Sequence, residues 1–194
     1  MNPFHAEESY GSRLIEKDLE VWKNAYFGGA TNYAQLLSGI LSFFGTARID
    51  WRKITAASIT ENEAGTSVGG VAGLQTANDG NEYAANEVSG QTPGIDIEVV
   101  FTSVTAFNWV QVLARYQGSA SHGVTIQLWN GSAWDTFGFI KDQPADRNFE
   151  EHSFFVPDDS SYINTGEVKV RFVHEMAATG NAHELFIDIC ALYQ

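Results

Sequence analysis

Residues 124–137 read VTIQLWNGSAWDTF, and the fold follows from how this stretch alternates. Val124, Ile126 and Leu128 take one face of an extended chain, and Thr125, Gln127 and Trp129 take the other. That period of two is the signature of a strand with one buried face. Asn130-Gly131 supplies two residues that tolerate the left-handed backbone, so the spacing predicts a tight hairpin there. Ala133 to Phe139 is then the returning strand.

The same grammar continues on both sides. Ile95, Ile97, Val99 and Phe101 alternate with Asp96, Glu98, Val100 and Thr102, while FNWVQVLARY at 107–116 is apolar on both faces, as a central strand is. Phe149 to Val156, Val168 to Val173 and Glu184 to Tyr193 add three more strands, with turns at short intervals. Eight or so short antiparallel strands predict a mainly β fold, an antiparallel jelly-roll β-sandwich over 95–194. Tyr83 to Val88 reads as an earlier strand that would move its start to about 83.

Ahead of the sandwich the grammar changes, and the charge changes with it. Residues 1–60 carry six Lys/Arg and six Asp/Glu, so the formal charge of −13 resides entirely in the rest of the 194-residue chain. Ile15, Leu19, Trp22 and Tyr26 are spaced four, three, four, and so are Tyr33, Leu37, Ile40 and Phe44. This is the stripe of an amphipathic helix. The spacing predicts two helices, separated at Gly28-Gly29 and closed at Gly45. Residues 1–46 are thus expected to form a helical arm that docks and oligomerises through those eight residues, since two such helices cannot hide both faces in each other. Residues 47–94, rich in Gly, Ala, Asn and Ser, are expected to be a connecting segment with one or two short strands.

Composition narrows the function classes. A chain with 44% hydrophobic and 13% aromatic residues can bury a core. An acidic surface repels phosphates, which excludes nucleic acid and anionic membranes as expected partners. The densest apolar run, Tyr33 to Phe44, is twelve residues, whereas a membrane-spanning helix needs about 20. No basic segment followed by an apolar one opens the chain, so a secretion signal is not expected. Cys190 is the single cysteine and falls in an apolar strand pattern, where it reads as a small core residue.

Three stretches resemble a known architecture: Val99–Phe101 with Trp109–Tyr116, the hairpin at 124–137, and the ending EVKVRFVH (167–174) with HELFIDICALYQ (183–194). Together they resemble the jelly-roll sandwiches of galactose-binding-like domains and carbohydrate-binding modules, with Arg171 and Asp188 in the last two strands. Similar sandwiches behind a short helical arm occur in tailed-phage virion proteins. That resemblance implies a non-enzymatic structural protein, of the capsid-decoration or head-fibre type, located in the virion. It would form a homo-oligomer, a trimer by preference, with the major capsid protein as a partner and no cofactor. The alternative it implies is a host-glycan adhesin or carbohydrate-binding module.

No constellation declares a catalytic residue. Gly65-Thr66-Ser67-Val68-Gly69 matches G-x-S-x-G but lacks the strand-to-helix flanks of a nucleophile elbow. Glu150 and Glu151 are adjacent and point to opposite faces of a strand, so they cannot form a glycosidase pair. His174 and His183, with Glu175 and Glu184, could approach one metal, but no helical metal spacing exists and strand-end, exposed histidines are the expected state. In galactose-binding-like sandwiches an acid of the last strand helps to hold calcium, and Asp188 occupies that place without identifiable companions. No metal site is therefore expected. The best binding case is aromatic: Trp129 and Trp134 bracket the 130–131 turn and, with Gln127 and Asp135, would make a glycan platform. Cross-strand pairing of the two rings, stabilising the hairpin, is the expectation set against it.

Overall fold

In the computed structural model, the described residues are 33–37 and 40–44, by backbone alone, and 52–118, 122–142, 148–176 and 183–194. The chain divides into two compact units, Met1–Asp50 and Trp51–Gln194.

The first unit departs from the sequence expectation. Tyr33–Leu37 (β1) and Ile40–Phe44 (β2) form a two-stranded antiparallel sheet in the register Tyr33↔Phe44 to Leu37↔Ile40. The helix predicted through Tyr33, Leu37, Ile40 and Phe44 is therefore corrected to a hairpin. The physical reason is local. Ser38-Gly39 separates two five-residue apolar runs, and a two-residue Ser/Gly connection between such runs is a hairpin signal. The other predicted helix, with Ile15, Leu19, Trp22 and Tyr26, lies outside the described residues.

The second unit is a sandwich of two antiparallel sheets. One has five strands in the order β10-β9-β13-β7-β4: Trp134–Lys141, Gly123–Trp129, Val168–His174, Ile95–Phe101 and Ser58–Glu63. The other runs β11-β8-β14-β6-β5, namely Glu150–Glu151, Trp109–Gln117, Glu184–Tyr193, Tyr83–Asn86 and Ser67–Val68. Phe154–Phe155 (β12) also pairs with β8, and Lys53–Thr55 (β3) with β14. Among the described residues the helical elements are two short 3-10 turns, Val71–Leu74 and Asp159–Ser161, and no helix is long and apolar enough to cross a membrane.

The period-two residues meet in the middle. Ile95, Ile97, Val99 and Phe101 of β7, Val124, Ile126 and Leu128 of β9, and Val168, Val170 and Phe172 of β13 face Val110, Val112, Ala114 and Tyr116 of β8 across one core. In β14 the inward set is Leu185, Ile187, Cys190 and Leu192, with two residues rather than one between Ile187 and Cys190. A bulge between Ile187 and Ile189 supplies the extra residue. Cys190 is fully buried, and burial pushes its thiol pKa far up, so it is an inert core residue.

Residues 47–94, expected as a connecting segment with one or two strands, contribute four strands to the two sheets. Small residues make this region hard to read and easy to pack. Ala84 and Ala85 are buried in β6, and a Cβ on Gly69, which has φ +85°, would lie 2.0 Å from the Glu82 carbonyl oxygen. Ser67 sits in β5, paired with Ala85 of β6, and so is no nucleophile elbow.

The decisive hairpin also differs in detail. The connection is four residues, Asn130 to Ala133, closed by Asn130 N–H donating to the Ala133 carbonyl at 3.0 Å. Gly131 is left-handed at φ +90°, whereas Asn130 is not among the positive-φ residues. The Asn130 side chain organises the turn instead, its Oδ1 accepting from Ser132 N–H at 3.0 Å and Ala133 N–H at 2.9 Å.

Candidate aromatic binding face

The outward side of the five-stranded sheet carries the candidate site. Trp129 and Trp134 are direct cross-strand partners at the end of β9 and start of β10. Their ring centroids are 5.2 Å apart with the planes at 56°. Both rings are half-buried, because strand alternation places them opposite the core residues Leu128 and Ile126. The expected cross-strand ring pair is thus present, and it lies on the solvent side of the sheet.

Beside it a polar row crosses five strands. Register places Thr136, Gln127, Arg171, Glu98 and Thr60 next to one another from β10 to β4. Arg171 is the hub. Its Nε and Nη2 donate to the two carboxylate oxygens of Asp96 at 2.7 and 2.6 Å, and Nη1 donates to Gln127 Oε1 at 3.4 Å. Gln127 Nε2 in turn donates to Thr136 Oγ1 at 3.4 Å. The hydrogen bonds to Asp96 are the main reason the Arg171 pKa is held above its ordinary value. The guanidinium carbon also lies 5.3 Å from the Trp134 ring centroid, within cation–π range. Farther along, Asn62 Nδ2 donates to Glu98 Oε1 at 2.9 Å, and Lys169 Nζ lies 3.6 Å from Glu98 Oε2.

A two-point Arg–carboxylate pair fixes both side chains in one plane. The face is therefore a rigid aromatic edge followed by a pre-paired polar strip, whose positive charges are matched locally. Asp96 is nearly buried on this face, and Asp96→Asn removes the charged acceptor of two Arg171 hydrogen bonds. The expected loss is about 2 kcal/mol, read as a lower urea midpoint with unchanged slope.

The four predicted glycan-site residues do not all converge. Trp129, Trp134 and Gln127 share the outward face. Asp135 does not, since as the neighbour of Trp134 in a strand it points to the other side. Its Oδ2 accepts from Asn130 Nδ2 at 2.9 Å and from the Tyr162 hydroxyl at 3.0 Å, so it braces the hairpin. Arg171, Asp96, Glu98 and Thr136 were missed as site residues. The alternation of Asp96 and Glu98 was visible in IDIEV and that of Arg171 in VKVRF, but the adjacency of β9, β13 and β7 is a matter of topology.

Other candidates resolve simply. Glu150 and Glu151 are exposed on the short strand β11. Asp188, considered for calcium, is buried at the β14 bulge and accepts from Asn78 N–H at 2.7 Å. Among the described residues no group of metal-ligating side chains surrounds it. His174 and His183, expected as exposed strand ends, are instead buried. The residue that meets both is Glu87, just beyond β6, while Glu175 is exposed at the surface and Glu184 pairs in register with Gln117.

No protein-family model matches the chain, and no curated protein sequence matches it. Solved structures with a similar β-sandwich are carbohydrate-binding modules. One is TmCBM61 in complex with beta-1,4-galactotriose, with 14% identity, 75% of this chain and 89% of that one covered, and a TM-score of 0.44. Another is the xylan-binding module CBM15, with 8% identity, coverage of 73% and 94%, and a TM-score of 0.47. A third is chitosan-binding module 1 from a chitosanase/glucanase of Paenibacillus sp. IK-5, with 15% identity, coverage of 73% and 97%, and a TM-score of 0.44. At these identities and TM-scores the likeness carries no information about a ligand.

Proposed function

We propose that the β-sandwich is a non-catalytic glycan-binding module that uses the outward face of its five-stranded sheet. The observation that carries this reading is the juxtaposition of the half-exposed Trp129/Trp134 pair with the Arg171–Asp96–Gln127–Thr136 strip. Pyranose rings present flat C–H faces that stack on aromatic rings, and equatorial hydroxyls that need paired donors and acceptors. Both are offered side by side, on strands rather than on loops, so little ordering is needed on binding. With Arg171 matched by Asp96 and Lys169 beside Glu98 and Glu167, the face suits neutral sugars better than uronic acids or sulfated chains.

Titration with a panel of neutral oligosaccharides while following tryptophan emission tests this. At least one glycan should change the emission saturably, because two of the five tryptophans lie in the proposed contact. A panel of β-linked neutral glycans that produces no saturable change at millimolar concentration would count against the reading.

Display on a virion, the other reading of the sequence, rests on residues 1–46. None of the described residues supports it, nor the capsid partner and homo-oligomer that came with it.

A further inference from the structure

Strand β10 starts at Trp134 and later brings a second aromatic ring, Phe139, to the surface. Strict alternation from Trp134 would turn Thr136, Gly138 and Ile140 outward and put Phe139 in the core. The far end of the strand does the reverse. A bulge between Thr136 and Gly138 adds one residue to β10, so that Phe139 pairs with Thr125 on the outward side and Ile140 with Val124 on the inward side. The added residue, Phe137, turns its ring to Phe154 and Tyr162, at centroid distances of 4.8 and 5.5 Å. Bulges recur beside binding sites, where the extra residue re-aims a side chain.

Phe139 is 48% exposed. Its ring lies over Gly123, where a Cβ would be 2.3 Å from Cζ and 2.5 Å from Cε1. With glycine at that position the ring rests on the β9 backbone and turns its other side to water. Covering a glycine's backbone is one use for such a ring, and a lone exposed apolar side chain asks for no explanation. Phe139, however, shares its strand and its face with Trp134. Between the two stands the polar row of Thr136, Gln127 and Arg171. The order along β9 and β10 is therefore an aromatic pair, a hydrogen-bonding strip and an aromatic ring.

We propose that this face takes an extended, neutral, β-linked glycan of at least three sugar units, lying along β9 and β10, with Phe139 as a second stacking subsite. The inference rests on the glycan reading of this face and adds to it the length and the direction of the ligand. Trp129 and Thr125, the β9 partners of Trp134 and Phe139, are both in the strand Gly123–Trp129. At roughly 3.3 Å per residue they are about 13 Å apart. A disaccharide stacked on the tryptophans stops short of that distance, and a third or fourth unit reaches it. The units between meet Gln127, Thr136 and Arg171, whose donors and acceptors suit ring hydroxyls. All these residues sit on strands, so the two stacking positions are held at a fixed spacing before the ligand arrives.

The test is isothermal titration of the full chain with cello-, manno- and xylo-oligosaccharides of two to five units, on wild type, Phe139→Ala and Phe139→Tyr. In the series that binds, the tetrasaccharide should bind wild type about tenfold more tightly than the disaccharide, the upper end for one aromatic contact. Phe139→Ala should remove most of that step and leave disaccharide affinity unchanged. Phe139→Tyr, which keeps a flat ring, should retain the step. Equal affinity at every length in wild type would overturn the inference and leave the glycan reading standing, and this series decides even where Phe139→Ala does not fold. An undiminished step in Phe139→Ala, with or without a lower Tm, would also overturn it, since the ring would then serve only to cover Gly123. Absence of binding at every length in all three series would overturn the glycan reading itself, and this inference with it.

Discussion

A chain cut back to begin at Ile95 is expected to lose cooperative unfolding altogether, although the clean strand alternation begins there. Residues 52–94 are built into both sheets. β4 pairs with β7 along Ser58↔Val100 to Glu63↔Asp96, and β3 and β6 both pair with β14. Removing them strips β7 of one neighbour and leaves β14 without its partners on the side away from β8. It also deletes Leu74, Tyr83 and Ala85 from the core, all three almost completely buried. Loss of a large buried side chain costs about 3–5 kcal/mol, and a domain's total stability is about 5–15 kcal/mol. Two such losses with two sheet edges opened exceed what remains. A chain beginning at Glu61 is expected to fail for a related reason, since it lacks β3, half of β4 and the buried Ala56. A chain spanning Trp51–Gln194 should unfold in a single transition. Urea titrations followed by far-UV circular dichroism separate the three, and a cooperative transition for the 95–194 chain would show that residues 52–94 are an accessory.

This expectation shows where the sequence was legible and where it was not. From Ile95 on, Ile95–Phe101, Trp109–Gln117, Gly123–Trp129 and Val168–His174 each had a face of branched or aromatic side chains in period two, and the structure keeps those faces inward. The region before it lacks that signal for a physical reason. Its strands bury small residues, Ala84 and Ala85, or contribute edges such as Ser58–Glu63, where hydrogen bonding to β7 matters more than side-chain volume. In 33–44 the spacing of Tyr33, Leu37, Ile40 and Phe44 fits a helix, and the same four residues fall at the ends of two five-residue strands. The Ser38-Gly39 dipeptide decides between them.

The site was legible only in part, for a related reason. A hairpin brings its own two strands together, so the Trp129/Trp134 contact could be read from fourteen residues. Arg171 and Asp96 are 75 positions apart and meet because β13 lies between β9 and β7. The meeting of Glu87 with His174 and His183 is equally non-local. Sequence spacing carries no information about such pairs, and Glu175, the neighbour of His174 in the chain, is exposed at the surface.

The second large effect concerns the aromatic pair. Trp129→Ala with Trp134→Ala is expected to abolish saccharide binding while lowering stability by only about 1–2 kcal/mol. The rings lie on the solvent face, so the loss is that of a cross-strand aromatic contact, about 0.5–1.5 kcal/mol, with a further contribution from the Arg171 cation–π contact. Truncating a core aromatic such as Phe172, which is fully buried, should cost about 3–5 kcal/mol. That difference separates a binding surface from a stabilising one. If the double change costs as much as Phe172→Ala, the rings serve the sandwich and not a ligand.

The central claim is that the outward face of the five-stranded sheet binds a glycan. It is tested most directly by isothermal titration of the best-binding neutral oligosaccharide into the wild-type chain and into the folded Trp129→Ala/Trp134→Ala variant. The account predicts one site per chain for the wild type and no detectable heat for the variant, with equal far-UV circular dichroism for both. Undiminished binding in the variant would contradict it.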